Sequence, residues 1–394
     1  MSKYTVLAVV CIAVSIVLIA LRREAAPAPV VVRFASYNAA LNREHAGALL
    51  AELRGGASQA ARQIAEVVQR QEVDVLLLCE LDRDDAGEAA RVFAREYLAV
   101  SQNGQRAIHF PFVFAGPVNT GEPTGRDLDG DGKNDGPGDA YGFGRFPGQY
   151  GMALLSRHPI GEHLIRTFGS LSWSAMPGAL RPEGFWSDEV WGRLRLSSKS
   201  HWDVPIQVMG RTIHVLCSHP TPPAFDGPED RNGCRNHDEI RFWVDYLTAG
   251  RDGWIVDDGG LPGGLAAEEP FVLMGDLNCD PVDGGSRRQA LADLLAHPRV
   301  QDPAPRSQGG VEQATRQWGV NAEHRGDPAL DTGDFGDEPP RGPGNLRVDY
   351  VLVGRPLGPV RSAVFWPQAF ESTLALVEAS DHRLVWVDVD VRPR

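Results

Sequence analysis

Phe271-Val272-Leu273-Met274-Gly275-Asp276-Leu277-Asn278 is an apolar run, too short for a globular helix and broken by Gly, which reads as a buried strand with Asp276 and Asn278 at its mouth. Residues two apart on a strand project to the same side, so a carboxylate and a carboxamide are expected to share one space. A carboxylate accepts a proton from water, and a neighbouring amide orients that water or ligates a metal without adding a second charge. The same residues also suit an Asx turn that closes a strand. Taken alone, the segment does not choose between catalyst and turn.

Recurrence makes the choice. Val31 to Asn38 is an apolar run ending on Asn38, Asp74 to Glu80 ends on Glu80, and Thr212 to His219 ends on His219. Arg347 to Val353 carries Asp349 near its start, and Ser380-Asp381-His382 opens Arg383 to Val389. Singly, Asn38 suits a turn, Glu80 a helix-entry cap and His219 a core histidine. Six such ends are poorly explained as six independent turns.

The ordered set Asn38, Glu80, His219, Gly275-Asp276-Leu277-Asn278, Arg347-Val348-Asp349-Tyr350 and Ser380-Asp381-His382 resembles the endonuclease/exonuclease/phosphatase superfamily, from about Val30 to the C-terminus. The resemblance implies an α/β fold, a four-layer sandwich of two mixed sheets packed face to face and flanked by helices, with the site at the strand ends. It also implies a metal-dependent hydrolase of phosphate ester bonds. Such chemistry needs an activated water, neutralised phosphoryl oxygens and a stabilised leaving oxygen. Hard oxygen ligands that leave waters in place suit Mg²⁺, or Mn²⁺ as a substitute. By resemblance, Glu80 and Asn38 hold the metal, with Asp381 as an additional ligand. Asp276 is the base or water-orienting group, and Asn278 its companion on the phosphate. His382 contacts the scissile phosphate and is oriented by Asp349, while His219 is a phosphate contact or the general acid. Which histidine donates the proton stays open.

Asp127-Leu128-Asp129-Gly130-Asp131-Gly132-Lys133-Asn134-Asp135 has carboxylates at positions 1, 3, 5 and 9 and Gly at 6, the start of a calcium loop. Gly138 stands where the usual Glu would be, and Asp139 follows. The expectation is a structural Ca²⁺ on Asp127, Asp129, Asp131 and Asp135 that pins the loop near Tyr141 to Tyr150, set against a solvated acidic turn. Lys199, His201 and His237 flank the His219 segment and are candidate substrate contacts; surface loops and a helix start explain the same residues. Trp173, Trp186 and Trp191 suit either a substrate rim or a local aromatic core.

The chain of 394 residues divides into an N-terminal segment, 1–29, and one catalytic domain, 30–394, since the loaded ends span nearly its whole length. Helices are expected over Ser58–Arg70, about Asp85–Tyr97 and near Asn236–Leu247, with a hairpin about Gly210 and polar loops over 220–232 and 301–344. Tyr4–Leu21 is a nearly unbroken apolar stretch between Lys3 and Arg22-Arg23, on the border between a signal peptide and a membrane anchor. Either one exports the domain to a periplasmic, secreted or membrane-anchored location, with the segment interacting with the membrane. Cys79, Cys217, Cys234 and Cys279 permit disulfides in an exported protein but read as buried thiols.

Net charge is 39 − 52 = −13, and the only lysines are Lys3, Lys133 and Lys199. That balance opposes non-specific nucleic-acid affinity unless arginines cluster locally. The expected protein is a monomeric exported phosphoesterase acting on a small or lipid-derived phosphate ester. The alternatives are an extracellular nuclease on DNA or RNA and a catalytically inactive binding module. The complete ligand and acid–base set opposes the last.

Overall fold

Apolar strands uninterrupted by polar residues must be covered on both faces, and that requirement organises the fold. The computed structural model describes residues 30–338 and 342–392. Its strands are β1 (Val30–Leu41), β2 (Val75–Leu81), β3 (Phe112–Phe114), β4 (Met152–Ser156), β5 (Arg166–Thr167), β6 (His201–Val208), β7 (Arg211–Ser218), β8 (Phe271–Asp276), β9 (Val300–Gln301), β10 (Gly333–Asp334), β11 (Asn345–Leu346), β12 (Asp349–Gly354), β13 (Gly358–Val364) and β14 (Val385–Val391). They form two six-stranded sheets, ordered β13-β14-β1-β2-β4-β3 and β5-β6-β7-β8-β12-β9, and a small β10-β11 ladder. Both large sheets are mixed: β1 runs parallel to β2 and β7 parallel to β8, while the other pairings within them are antiparallel.

Side chains alternate between two dry layers. Val32 and Phe34 of β1, Val75, Leu77 and Cys79 of β2, Val215 and Cys217 of β7, Val272 and Met274 of β8 and Val351 and Val353 of β12 meet between the sheets. Their alternates face outward. Ala35, Tyr37, Leu76 and Leu78 pack under Ile64, Val67 and Val68, while Leu216, Leu273 and Leu352 pack under Phe242, Trp243 and Tyr246. The covering helices are α1 (Ala48–Leu53), α2 (Gln59–Arg70), α3 (Glu88–Phe93), α4 (Asp188–Trp191), α5 (Arg231–Leu247), α6 (Gln289–Leu295) and α7 (Gln308–Gln317). The four-layer α/β sandwich implied by the resemblance is therefore the observed architecture.

Local chemistry explains where elements start and stop. Ser58 caps α2, its hydroxyl accepting from the Ala61 amide at 3.3 Å. Met209 and Gly210 both take positive φ, 51° and 76°, as a tight two-residue hairpin turn between β6 and β7 requires. Gly275 permits a close strand approach, since a Cβ there would lie 2.0 Å from the Ser218 carbonyl oxygen.

Several expected boundaries move. The second helix is α3 followed by a π turn over Ala94–Leu98, and α5 starts at Arg231, shortening the preceding loop. The 301–344 segment, expected as a polar loop, contains α7, capped by Ser307. Four free, buried cysteines bear out the reading as thiols. The apolar Tyr4–Leu21 stretch lies outside the described residues; no helix among the described residues is long and apolar enough to cross a membrane.

Phe34 is fully buried between the sheets. Phe34→Ala is expected to lower unfolding free energy by about 3–5 kcal/mol in denaturant titration, because the facing sheet cannot close over the void.

Candidate active site

The two parallel pairs decide where polar chemistry gathers. β1 beside β2 carries Asn38 and Glu80 to one end of the first sheet, and β7 beside β8 carries His219 and Asp276 to one end of the second. β12 enters antiparallel to β8 with Asp349 directly opposite Asp276. His382, just before β14, completes the group.

Asn38 donates from Nδ2 to Asp276 Oδ2 at 3.1 Å, and the same Nδ2 lies 3.3 Å from His382 Nε2. His382 Nδ1 is 2.8 Å from Asp349 Oδ2, while its Nε2 is 3.6 Å from Asp276 Oδ2. His219 Nε2 approaches the same Asp276 oxygen at 3.4 Å, and its Nδ1 is buried without a hydrogen-bond partner. Glu80, half-buried on the rim, accepts from Asn42 Nδ2 at 2.9 Å.

Burial pushes the Asp276 carboxyl up to about 6, opposed by the charge of His382. Burial works against the His382 imidazolium, but Asp349 and Asp276 outweigh it and lift the ring to about 10. His219 is driven well below the ordinary histidine value by burial, with the charges of Lys199 and His382 acting in the same direction. One histidine is thus cationic and the other neutral, although they share a carboxylate. Glu80 is raised by burial, against the pull of His382, Asn38 and Lys199.

Ligand atoms of Asp276, Asp349 and His382 all lie within 4.8 Å of one another, and Asp349 Oδ1 is buried without a partner. An orphaned carboxylate oxygen among carboxylates and amides fits a hard divalent cation. This grouping differs from the expected set of Glu80, Asn38 and Asp381. Asp381 has an exposed side chain outside the cluster, and its carbonyl accepts from the Asp334 amide at 2.8 Å.

Asn278 also departs from expectation. β8 ends at Asp276, so the period of two stops there; Asn278 turns to φ 50°, its amide N–H bonds Asp276 Oδ1 at 2.9 Å, and its Nδ2 donates to the Pro220 carbonyl at 3.1 Å. It fastens the loop after His219 to the end of β8. Both readings of the segment, carboxylate and Asx turn, are therefore realised at once.

Of the flanking candidates, Lys199 is buried beside this centre, within electrostatic reach of Glu239, Glu80 and Asp276. His201 is a core histidine instead: Nδ1 meets Ser197 Oγ at 2.6 Å, Nε2 meets the Glu239 carbonyl at 2.8 Å, and burial lowers it to about 4. With both ring nitrogens engaged it has nothing to offer a substrate. His237 pairs with Asp238, which also accepts from Trp173 Nε1 at 2.8 Å, so it belongs to the packing of the aromatic insertion. Trp173, Trp186 and Trp191 pack together as a local aromatic core, Trp186 stacked on Trp191 and Trp173 edge-on to Trp186 and tilted against Trp191.

In the acidic loop, Asp127, Asp129 and Asp139 come together, Asp139 being buried. Asp131 faces Lys133 at 3.5 Å, and neither it nor Asp135, both expected as ligands, belongs to that cluster.

Some supporting residues carry no readable signal. Asn42 holds Glu80, Thr332 Oγ1 accepts the Asp349 amide at 2.9 Å, and Ser380 links Asn38 to His382 by accepting the His382 amide at 3.0 Å and donating to the Asn38 carbonyl at 2.7 Å. Asp82 accepts from the Arg43 amide at 2.7 Å and the Tyr150 amide at 3.0 Å, tying the ends of β1, β2 and β4. Ser380 lies inside a quoted motif; the others look like ordinary loop residues.

Two facing mixed sheets with a carboxylate, histidine and amide set at their common end define an α/β-sandwich class. The chain belongs to the Endonuclease/Exonuclease/phosphatase family, whose sequence profile matches residues 35–382. Among solved structures, the endonuclease/exonuclease/phosphatase from Beutenbergia cavernae is similar at 17% identity and TM-score 0.50, over 92% of this chain and 72% of that one. Sphingomyelinase C from Streptomyces griseocarneus matches at 17% identity and TM-score 0.45, over 91% of this chain and 99% of its own. The human nocturnin catalytic domain matches at 13% and 0.44, over 93% and 99%. A sequence comparison with curated proteins gave no match.

In metal-free protein, NMR titration of the His382 ring is expected to show a midpoint near 10. Asp349→Asn should lower it by more than about one unit, since an opposite charge within hydrogen-bond distance favours the imidazolium. Because the folded value lies above the ordinary 6.5, the ring's contribution to stability is complete below about 6.5 and fades as pH rises towards 10. An unchanged midpoint in Asp349→Asn would assign the proton to other neighbours.

Proposed function

We propose that this chain is an exported, divalent-metal-dependent phosphoesterase that hydrolyses a small or lipid-derived phosphate ester by in-line attack of an activated water. The observation that carries the reading is the single Asp276 Oδ2 on which Asn38, His219 and His382 converge at 3.1, 3.4 and 3.6 Å. Asp276, raised towards neutrality, accepts the proton of the attacking water. Asn38 fixes the orientation of its carboxylate. The His382 imidazolium is held by Asp349 on one side, and on the other its Nε2–H lies beside the Asn38 amide, which offers no acceptor there. That N–H is available to a phosphoryl oxygen. Neutral His219 completes the wall as a polar contact rather than a second cation. Glu80, Asn38 and the neighbouring Asp276 and Asp349 oxygens would hold Mg²⁺ or Mn²⁺, which would supply charge neutralisation at the phosphoryl group.

The acidity of the chain and its three lysines support a small or lipid-derived ester over nucleic acid. The apolar Tyr4–Leu21 stretch supports export. Recovery of the native protein in the cytosolic fraction would overturn that part of the proposal.

Asp276→Ala and His382→Ala are each expected to lower turnover by about 10²- to 10⁴-fold while the circular dichroism spectrum is preserved. The assay takes the domain from about Ala25 onward, after chelation and re-addition of Mg²⁺ or Mn²⁺, against phosphomonoesters, phosphodiesters, sphingomyelin and plasmid DNA. Retention of more than about a tenth of wild-type turnover rejects the assigned roles, and DNA nicking far faster than the other reactions reverses the substrate preference.

The gathering of Asp127, Asp129 and Asp139 supports a structural calcium ion in the acidic loop. Calorimetry is expected to show calcium uptake by the domain that Asp139→Asn weakens by at least about tenfold, because a charged ligand is lost. No uptake by the wild-type domain removes the ion from the proposal.

A further inference from the structure

In this acidic chain arginines do cluster locally, and they do so away from the mouth. A cavity of about 420 Å³ is lined by Arg33, Arg106, Arg157 and Arg361, together with Asp74 and Asp388. Arg33 precedes Asn38 on β1 by five residues, about 17 Å at the strand rise of 3.3 Å per residue. Asp388 is the β14 partner of both Arg33 and Arg361, and Arg157 follows the end of β4. The cavity therefore lies at the far end of the first sheet.

Its charges are not balanced pair by pair. Asp388, 1% exposed, accepts from Arg33 Nε at 2.7 Å and Nη2 at 3.0 Å, and from Arg361 Nε at 3.0 Å. Asp74 accepts from Arg157 Nη1 at 2.6 Å and from the Arg33 amide at 2.9 Å. One carboxylate thus serves two guanidinium groups, and among the described residues Arg106 has no carboxylate within 4.0 Å. Glu72, the other acid on the wall, is exposed and pairs with none of the four.

The walls are fixed in advance. The Arg33 guanidinium lies over the Trp386 ring at 3.7 Å and donates to the Gln71 carbonyl. Buried Gln69 holds the loop that leads to Arg106: its Nε2 donates to the carbonyls of Leu98 at 2.9 Å and Val100 at 2.8 Å, and its Oε1 accepts the Gln102 amide at 2.9 Å. Beyond Arg106, the Ile108 amide bonds the Leu98 carbonyl at 2.8 Å. Planar guanidinium forks suit the several oxygens of a phosphate group, and walls already ordered lower the entropic cost of receiving one. The volume exceeds that of a phosphate ion, which leaves room for an alcohol part whose hydroxyls can donate to Glu72.

We propose that this cavity is a second, non-catalytic site for a phosphate-bearing anion, held by Arg106 and the unengaged N–H groups of Arg157 and Arg361. The site is independent of the phosphoesterase reading, since none of its residues belongs to the mouth. Eight residues separate Leu21 from Val30 in sequence, at most about 30 Å of extended chain. An anchor at Tyr4–Leu21 would bring a lipid headgroup phosphate within reach of the cavity, and a soluble phosphate ester offers the same chemistry.

The test uses the full chain reconstituted in vesicles of phosphatidylcholine, with or without phosphatidylglycerol, and inorganic phosphate as the soluble probe. Amide exchange over residues 104–110 is expected to slow when the anion binds. Slowing by phosphatidylglycerol assigns a lipid headgroup, slowing by inorganic phosphate alone assigns a soluble ester, and slowing by neither overturns the proposal. Arg106→Glu should abolish the slowing and weaken binding at this site at least about tenfold, the loss of a charge-assisted contact, with melting temperature and ester hydrolysis unchanged. Arg361→Gln, which leaves Arg33 on Asp388, should weaken binding from the other wall. Slowing that persists in both variants overturns the proposal, as does a lowered melting temperature in Arg106→Glu with anion binding intact. A wild-type chain that binds the anion here and hydrolyses no phosphate ester sinks the enzymatic reading and leaves this site standing.

Discussion

The β8–β12 register, which sets Asp349 directly across from Asp276 at the dry end of a sheet, is the constraint from which the rest of the site follows. Two carboxylates side by side in a low dielectric repel, and Asp349 helps to raise the Asp276 carboxyl. The second sheet offers the pair no fixed cation within its own strands. Relief comes across the sandwich, where β1 contributes the Asn38 amide and the turn into β14 contributes His382. Each sheet thus holds half of an arrangement that is electrostatically poor without the other, and the apolar layer between Val32, Phe34, Val272 and Met274 fixes the separation at which the halves meet.

The same end of the sandwich holds backbone strain. Glu80 and Asn278 both adopt positive φ, 56° and 50°, a conformation that costs a non-glycine residue of order 1–3 kcal/mol. In each case the surrounding hydrogen bonds over-determine the geometry. Asp82, two residues past Glu80, gathers amides from the neighbouring strand ends, and Asn278 is held by Asp276 and Pro220. The strain turns the Glu80 side chain to the rim and leaves the Asp276 carboxylate unshared by its own turn on the Oδ2 side.

Legibility in the sequence followed periodicity. Strands buried on both faces are continuous apolar runs, so β1, β2, β7, β8, β12 and β14 and the residues at their ends could be read directly. What lay off the strands could not. Asn278 lies one step past the end of β8, where the strand period no longer holds, and α7 sits in a segment whose Gly and Pro content suits a loop. His201 and Lys199 sit two residues apart in one polar cluster, and only the three-dimensional packing separates a core histidine with both nitrogens satisfied from a lysine within electrostatic reach of Glu80 and Asp276. Asp139, rather than Asp131 or Asp135, gathers with Asp127 and Asp129 because the acidic turn closes on itself, Asp139 accepting from the Leu128 and Gly136 amides, a closure that linear spacing does not encode.

β1 is a single element with two very different ends. Val30 pairs with Val391 at one edge of the sandwich, and Asn38 lies eight residues on, about 26 Å away at the strand rise of 3.3 Å per residue. Val30 therefore lies at the end of the sandwich opposite the polar mouth. An attachment made at Val30 thus leaves the mouth unobstructed, a full strand length away.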